Sequence, residues 1–152
     1  MPRTLTEAER DQFLAEIHIG VLSVAADSDG RPPLTVPVWY AHRPGGDITF
    51  FTNTQGRKSR KTRLLRHAGR FSLCVQQPRF PYKYVTAECT LVRADRSPAV
   101  EEVLAITGRY LPPDAAREFA EAETSHPAGT FVLFTGRPDR WASADFDQRD
   151  DR

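Results

Sequence analysis

Apolar and polar positions along this chain alternate in short runs, cut repeatedly by Pro, Gly and Asp. The first exception is Thr6 to Ile17, where Phe13, Leu14 and Ile17 share one helical face and Thr6 with Glu9 has capping-box spacing. That pattern predicts a short N-terminal helix over about 6–17. Period-two alternation then predicts strands over Ile19 to Ala26 and Pro33 to His42, joined as a hairpin by Asp27-Ser28-Asp29-Gly30. Pro37 has no N–H for a ladder, so the second strand belongs at an edge or a bulge. A turn over Arg43 to Asp47 leads into a third strand, Ile48 to Asn53. A helix is expected from about Arg57 to His67, then strands over Phe71 to Gln77 and Tyr84 to Ala94.

Ser97-Pro98 reads as an N-cap and first helical residue, followed by the stripe Val100, Val103, Leu104. Pro112-Pro113-Asp114 ends that helix and starts another through about Ala122. Thr130 to Thr135 is a further strand and Trp141 to Phe146 a short seventh. Most joins are hairpins and not crossovers. The expected fold is therefore mainly β (α+β), a six- or seven-stranded antiparallel barrel with short peripheral helices. The 152 residues suit one domain over 1–152 with a single core, ending in a charged tail at about 147–152.

Charge sharpens this picture at one junction. From Ile48 to Ala87 there is no acid, yet nine of the 21 Lys and Arg lie there, so the window is +9 and the rest of the chain −8. Six of those cations fall between Arg57 and Arg66, where a strand runs through a glycine into a helix start. Free N–H groups, the helix dipole and cationic side chains all favour an anion at such a place, and a phosphate is the natural one. A solvated basic face and a nucleic-acid footprint are the other readings. The missing acids argue against an i, i+4 salt-bridged surface, and the overall charge of +1 argues against nucleic acid as a partner.

Other chemistry is sparse. Cys74 and Cys89 read as two buried thiols on neighbouring strands, and the four histidines have no ligand spacing, so no metal is expected. No Walker loop, Gly-x-Gly-x-x-Gly or Gly-x-Ser-x-Gly occurs. The N-terminus carries no apolar leader and no stretch reaches membrane-spanning length, so the cytoplasm is expected, without a membrane partner.

Phe50-Phe51-Thr52-Asn53, the following Ser59-Arg60-Lys61 and Phe71-Ser72-Leu73-Cys74-Val75 together resemble the pyridoxamine 5′-phosphate oxidase superfamily. These are the FMN-binding split β-barrels, among them the actinobacterial F420 (deazaflavin) reductases. Gly20 to Val24 with Asp29-Gly30-Arg31-Pro32, Pro37-Val38-Trp39-Tyr40 and Pro81 to Val85 extend the likeness over roughly Ile19 to Val92. The resemblance implies an FMN- or F420-dependent oxidoreductase that passes hydride between the cofactor and a small organic substrate. It also implies a homodimer with the cofactor at the subunit interface. Thr52, Asn53 and Ser59 would meet cofactor oxygens, Pro37, Val38 and Trp39 would border the ring, and Gln76 would hydrogen-bond it or merely end a strand. Counting from Phe-Phe-Thr-Asn selects Arg57-Lys58 as the phosphate doublet, whereas counting back from Phe71 selects Arg60-Lys61. Tyr40, His42 and Tyr84 are options for a proton donor. Phe80, Tyr82 and Tyr84 read as a dimer contact or core. A non-catalytic flavin, F420 or haem carrier is the alternative from another class.

Overall fold

The computed structural model describes residues 2–53, 59–125 and 131–147. Seven strands form one wholly antiparallel sheet: β1 Gly20–Val24, β2 Leu34–Val38, β3 Tyr40–His42, β4 Ile48–Asn53, β5 Arg70–Gln77, β6 Lys83–Asp95 and β7 Phe131–Asp145. Their order is β2-β1-β5-β6-β7-β4-β3. The two edge strands, β2 and β3, are consecutive in the chain and separated only by Trp39. Two peptide units span at most about 7.6 Å, so the sheet must curl until its edges nearly meet. That closure is the barrel, and Trp39 sits on its seam.

Alternation decides which side chains fill it. Leu22 and Val24 of β1, Phe71, Leu73 and Val75 of β5, and Val85, Ala87 and Cys89 of β6 point inward, joined by Tyr40, Ile48, Phe50 and Phe134. α1 (Glu7–Ala15) contributes Phe13 and Leu14 to this core, and α2 (Arg60–Ala68) contributes Leu64 and Leu65. α3 (Val100–Tyr110) and α4 (Pro113–Thr124) instead pack outside β3 and β4, in a second cluster of Val103, Ala120 and Phe131 with Phe51 and Phe119.

Four expectations need correction. Pro33 to His42 is not one strand, because closure breaks it at Trp39 into β2 and β3; Pro37 does lie on an edge strand, opposite Val21. The last two expected strands are one, β7, which passes through Gly136 and Pro138. β4 pairs with its first half, and β6 runs along most of its length, with a register shift where Cys89 faces Pro138. The long β6 ladder, joined by β4 as far as Gly136, overrides the local turn signals. Ser97 does not cap α3: Ala99 occupies that position, and the Ser97 N–H donates to Asp95 Oδ1 (2.8 Å). Finally, Cys89 is buried but Cys74 is only half-buried on the outward face. Burial pushes the Cys89 thiol up to about 12, so it is inert packing.

One side chain ties the helices together. α1 has no basic residue in its last turn, yet Arg109 of α3 donates to the carbonyls of Leu14 (3.2 Å) and Glu16 (3.0 Å) at that helix end. Its guanidinium also lies 4.8 Å from the Tyr40 ring centroid. Charged hydrogen bonds of this kind contribute about 1.5–3 kcal/mol. Arg109→Ala should lower unfolding free energy by about that amount in urea titrations. A loss below about 0.5 kcal/mol would show that water replaces the clamp without cost.

Candidate functional site

α2 starts at Arg60, three residues later than expected, because Ser59 holds an extended backbone and caps it, its Oγ accepting from Thr62 N–H at 3.3 Å. Arg57, Lys58 and the rest of 54–58 lie outside the described residues. The helix phase sorts its cations. Arg60 and Lys61 stand one turn before Leu64 and Leu65, which are fully buried, so the two stems run over the barrel end. Arg63 and Arg66 point to solvent, and Arg63 is tied up in an ion pair with Asp27 of the β1–β2 hairpin.

Arg60 is the distinctive member. Its Nε and one terminal nitrogen are shielded from water and have no hydrogen-bond partner among the described residues. Burial also holds the neighbouring Lys61 ammonium below its usual range. The first turn of α2 contains no acid, so both cations oppose the positive end of the helix dipole. A half-buried cation pair at a helix N-terminus is electrostatically uphill until an anion joins it.

The strands bring other predicted residues towards this end. Thr52 of β4 is buried, and its hydroxyl lies 3.4 Å from that of Thr62 on α2. Asn53 ends β4 opposite Phe131. Pro37 and Val38 end β2 at the seam, Pro37 exposed and Val38 buried. Gly20 pairs with both Val38 and Val75, so a single strand separates the seam from the end of β5, where Gln76 is exposed. That spacing is about 10 Å. Trp39 has one indole face stacked on Tyr110 (5.0 Å, 8°) and meets Phe51 edge-on. Tyr110 is held in turn by donating to the His18 carbonyl at 2.6 Å.

The three options for a proton donor separate. The Tyr40 hydroxyl is buried and donates to the Leu14 carbonyl at 2.8 Å, with its pKa raised by burial, so it is structural. His42 pairs with Ile48 at the far end of β4, about 13 Å along the strand from Thr52, and burial lowers its pKa. Tyr84 is exposed on β6 beside Gln76. Sequence reasoning did not single out Thr62, Asp27 or Tyr110 for this site. Thr62 was findable as the residue three beyond the Ser59 cap. The Asp27–Arg63 and Trp39–Tyr110 contacts join residues far apart in sequence and carry no local signal.

Comparisons with known proteins agree with this architecture. The family model described as pyridoxamine 5′-phosphate oxidase matches residues 6–144. Among curated proteins, none matches the sequence significantly. Solved structures do. A conserved hypothetical protein of Mycobacterium tuberculosis superposes with a TM-score of 0.71 at 22% identity, covering 93% of this chain and 86% of that one. An F420 reductase gives 0.59 at 19% identity, covering 87% and 94%. A FAD-binding protein from Mesorhizobium loti gives 0.63 at 20% identity, covering 95% and 96%. At these identities the structural likeness speaks for the fold.

Proposed function

The chain belongs to the pyridoxamine 5′-phosphate oxidase family, and from that premise we propose that it binds a phosphate-bearing flavin or deazaflavin, FMN or F420, and works as an oxidoreductase on a small organic substrate. The observation that carries this reading is Arg60 at the N-terminus of α2, two of whose guanidinium nitrogens are shielded from water and find no hydrogen-bond partner among the described residues. Arg60 and Lys61 would hold the phosphate, with Ser59 and Thr52 beside it and Asn53 at the strand end. Pro37, Val38 and the seam would border the ring, and Gln76 stands one strand away. When bound, the cofactor supplies hydride chemistry, and the protein binds it, orients it and limits water at the ring.

Between the two cofactors the cation count is informative. A lone phosphate of about −2 needs two or three cationic partners. Arg66 and Arg70 are exposed beyond that need, and they suit the carboxylate tail of F420. Fluorescence titration with FMN and F420 should give saturable binding of at least one at micromolar concentration in low salt. Saturation by neither ends the proposal. Stronger salt sensitivity for F420 than for its tail-less fragment would favour F420, because exposed pairs are screened within about 8 Å at physiological ionic strength. Turnover of the reduced cofactor with an acceptor separates an enzyme from a carrier.

A homodimer in the cytoplasm, with the cofactor between subunits, completes the reading. Registers align Pro37, Val21, Cys74, Thr86 and Ala142 in one row across the outward face of β2, β1, β5, β6 and β7. Such a row of small side chains is suited to a second copy. Light scattering at tens of micromolar should return twice the chain mass of 17.1 kDa. A monomer mass alone would put the cofactor in a one-chain site.

A further inference from the structure

Arg63 stands three residues beyond Arg60 on α2, so the two guanidiniums share one helix face. The step between them is about 4.5 Å along the helix axis. An anion held at the first turn by Arg60 and Lys61 therefore has a third cation within reach, provided that it is longer than one phosphate. Arg63 is already engaged. It forms an ion pair with Asp27, which the β1–β2 hairpin brings across from outside the acid-free window of Ile48 to Ala87. Among the described residues no other carboxylate pairs with a cation of α2.

The hairpin is well placed to keep that contact. Val24, three residues before Asp27, packs in the core cluster that also takes Leu64 and Leu65 of α2. The root of the hairpin and the inner face of the helix thus meet in one core, and Asp27 reaches the flank that carries Arg63. Its side chain is 28% exposed against 56% for Arg63, so the carboxylate is the more shielded partner. Two effects on a ligand add. Asp27 occupies the next cation along the helix, and its own negative charge repels whatever extends past the first turn. Arg66 and Arg70 are exposed beyond Arg63, so a longer polyanion has to pass the carboxylate to reach them.

We propose that Asp27 is a specificity-determining residue of the α2 anion site, holding Arg63 back and so biasing the site towards a single phosphate and against an extended polyanion. This role rests on the reading of α2 as the anion site and adds the residue that limits what enters it. An exposed ion pair is weak, so the bias amounts to no more than about fivefold and is not a block.

The full chain is titrated with inorganic phosphate and with tripolyphosphate at low ionic strength, followed by the amide shifts of Arg60 to Arg63. Asp27→Asn should tighten tripolyphosphate about three- to fivefold and change phosphate by less than about twofold. Arg63→Met in the parent should move neither anion by more than about twofold, whereas in Asp27→Asn it should remove the gain. A direct readout serves even if a variant misfolds: in the parent, the Arg63 Nε–H signal should shift less with tripolyphosphate than that of Arg60. Equal tightening of both anions, no tightening, or an Arg63 signal that moves as far as that of Arg60 would each overturn the proposal. So would a gain that survives Arg60→Ala, which would place the polyanion elsewhere. Saturation by neither anion would overturn it together with the anion site. FMN and F420 are titrated in parallel. If both fail while the inorganic pattern holds, the cofactor reading falls alone.

Discussion

Replacing Arg60 and Lys61 together, as Arg60→Ala with Lys61→Met, should weaken FMN or F420 binding by about a hundredfold or more. Each side chain supplies a charge-assisted hydrogen bond to phosphate, and each such bond contributes about 1.5–3 kcal/mol. The accompanying stability change should have the opposite sign from that of a structural residue. Arg60 holds two shielded nitrogens without a partner among the described residues, and Lys61 is kept by burial below its usual ammonium range. Removing both takes out uncompensated charge, so the apo protein should melt no lower than the parent. A merely structural pair would lower the melting temperature and leave affinity unchanged. The pH dependence follows from the same burial. Phosphate binds the ammonium form, so above the second pKa of the phosphate, about 6, affinity falls as pH rises through the lowered Lys61 pKa; Lys61→Met alone should flatten that limb. An Arg57→Ala, Lys58→Ala variant is the comparison. If it loses the affinity while the Arg60–Lys61 variant keeps it, the doublet nearer to Asn53 holds the phosphate.

Gly136→Ala should cost about 1–3 kcal/mol, the range for forcing extra volume into a packed core. Gly136 lies in β7 where β4 and β6 both pair with it, opposite Ile48 and Leu91. A Cβ there would fall 2.3 Å from Phe71 Cζ and 3.1 Å from Cys89 Cβ. Phe71 has little room to retreat, because its ring stands edge-on to Phe50 at 5.1 Å, and Phe50 stacks on Phe134 at 5.3 Å. The strain would spread through three core rings. The gain from a stiffer unfolded chain, about 0.4–1 kcal/mol, offsets only part of it. Urea unfolding measures the cost. Phe71→Leu in the same chain should recover part of it, giving a coupling of opposite sign in a double-mutant cycle. A Gly136→Ala protein within about 0.5 kcal/mol of the parent would mean that the barrel opens locally to admit the methyl.

What the chain specifies by itself is local. Thr6 and Glu9 form the expected reciprocal cap of α1, Gly30 takes the positive φ of 81° that the hairpin turn asked for, and β1 and β5 alternate as read. Each depends on neighbours within a few residues, and such interactions are written in composition and spacing. The barrel and the antiparallel order were legible for the same reason, as sums of local signals. The tertiary structure decided the rest. Alternation runs unbroken through Trp39, and only the meeting of the two sheet edges splits that strand. Gly136, Pro138 and Asp139 look like a turn, yet β4 beside Gly136 and the long β6 ladder running past all three keep the strand continuous. The α2 cations are alike in sequence. Leu64 and Leu65 dock on the barrel and turn Arg60 and Lys61 towards its end, while Asp27, from a distant hairpin, takes Arg63. Contacts between residues far apart in sequence are chosen by how the sheet closes, and closure is a property of all seven strands together.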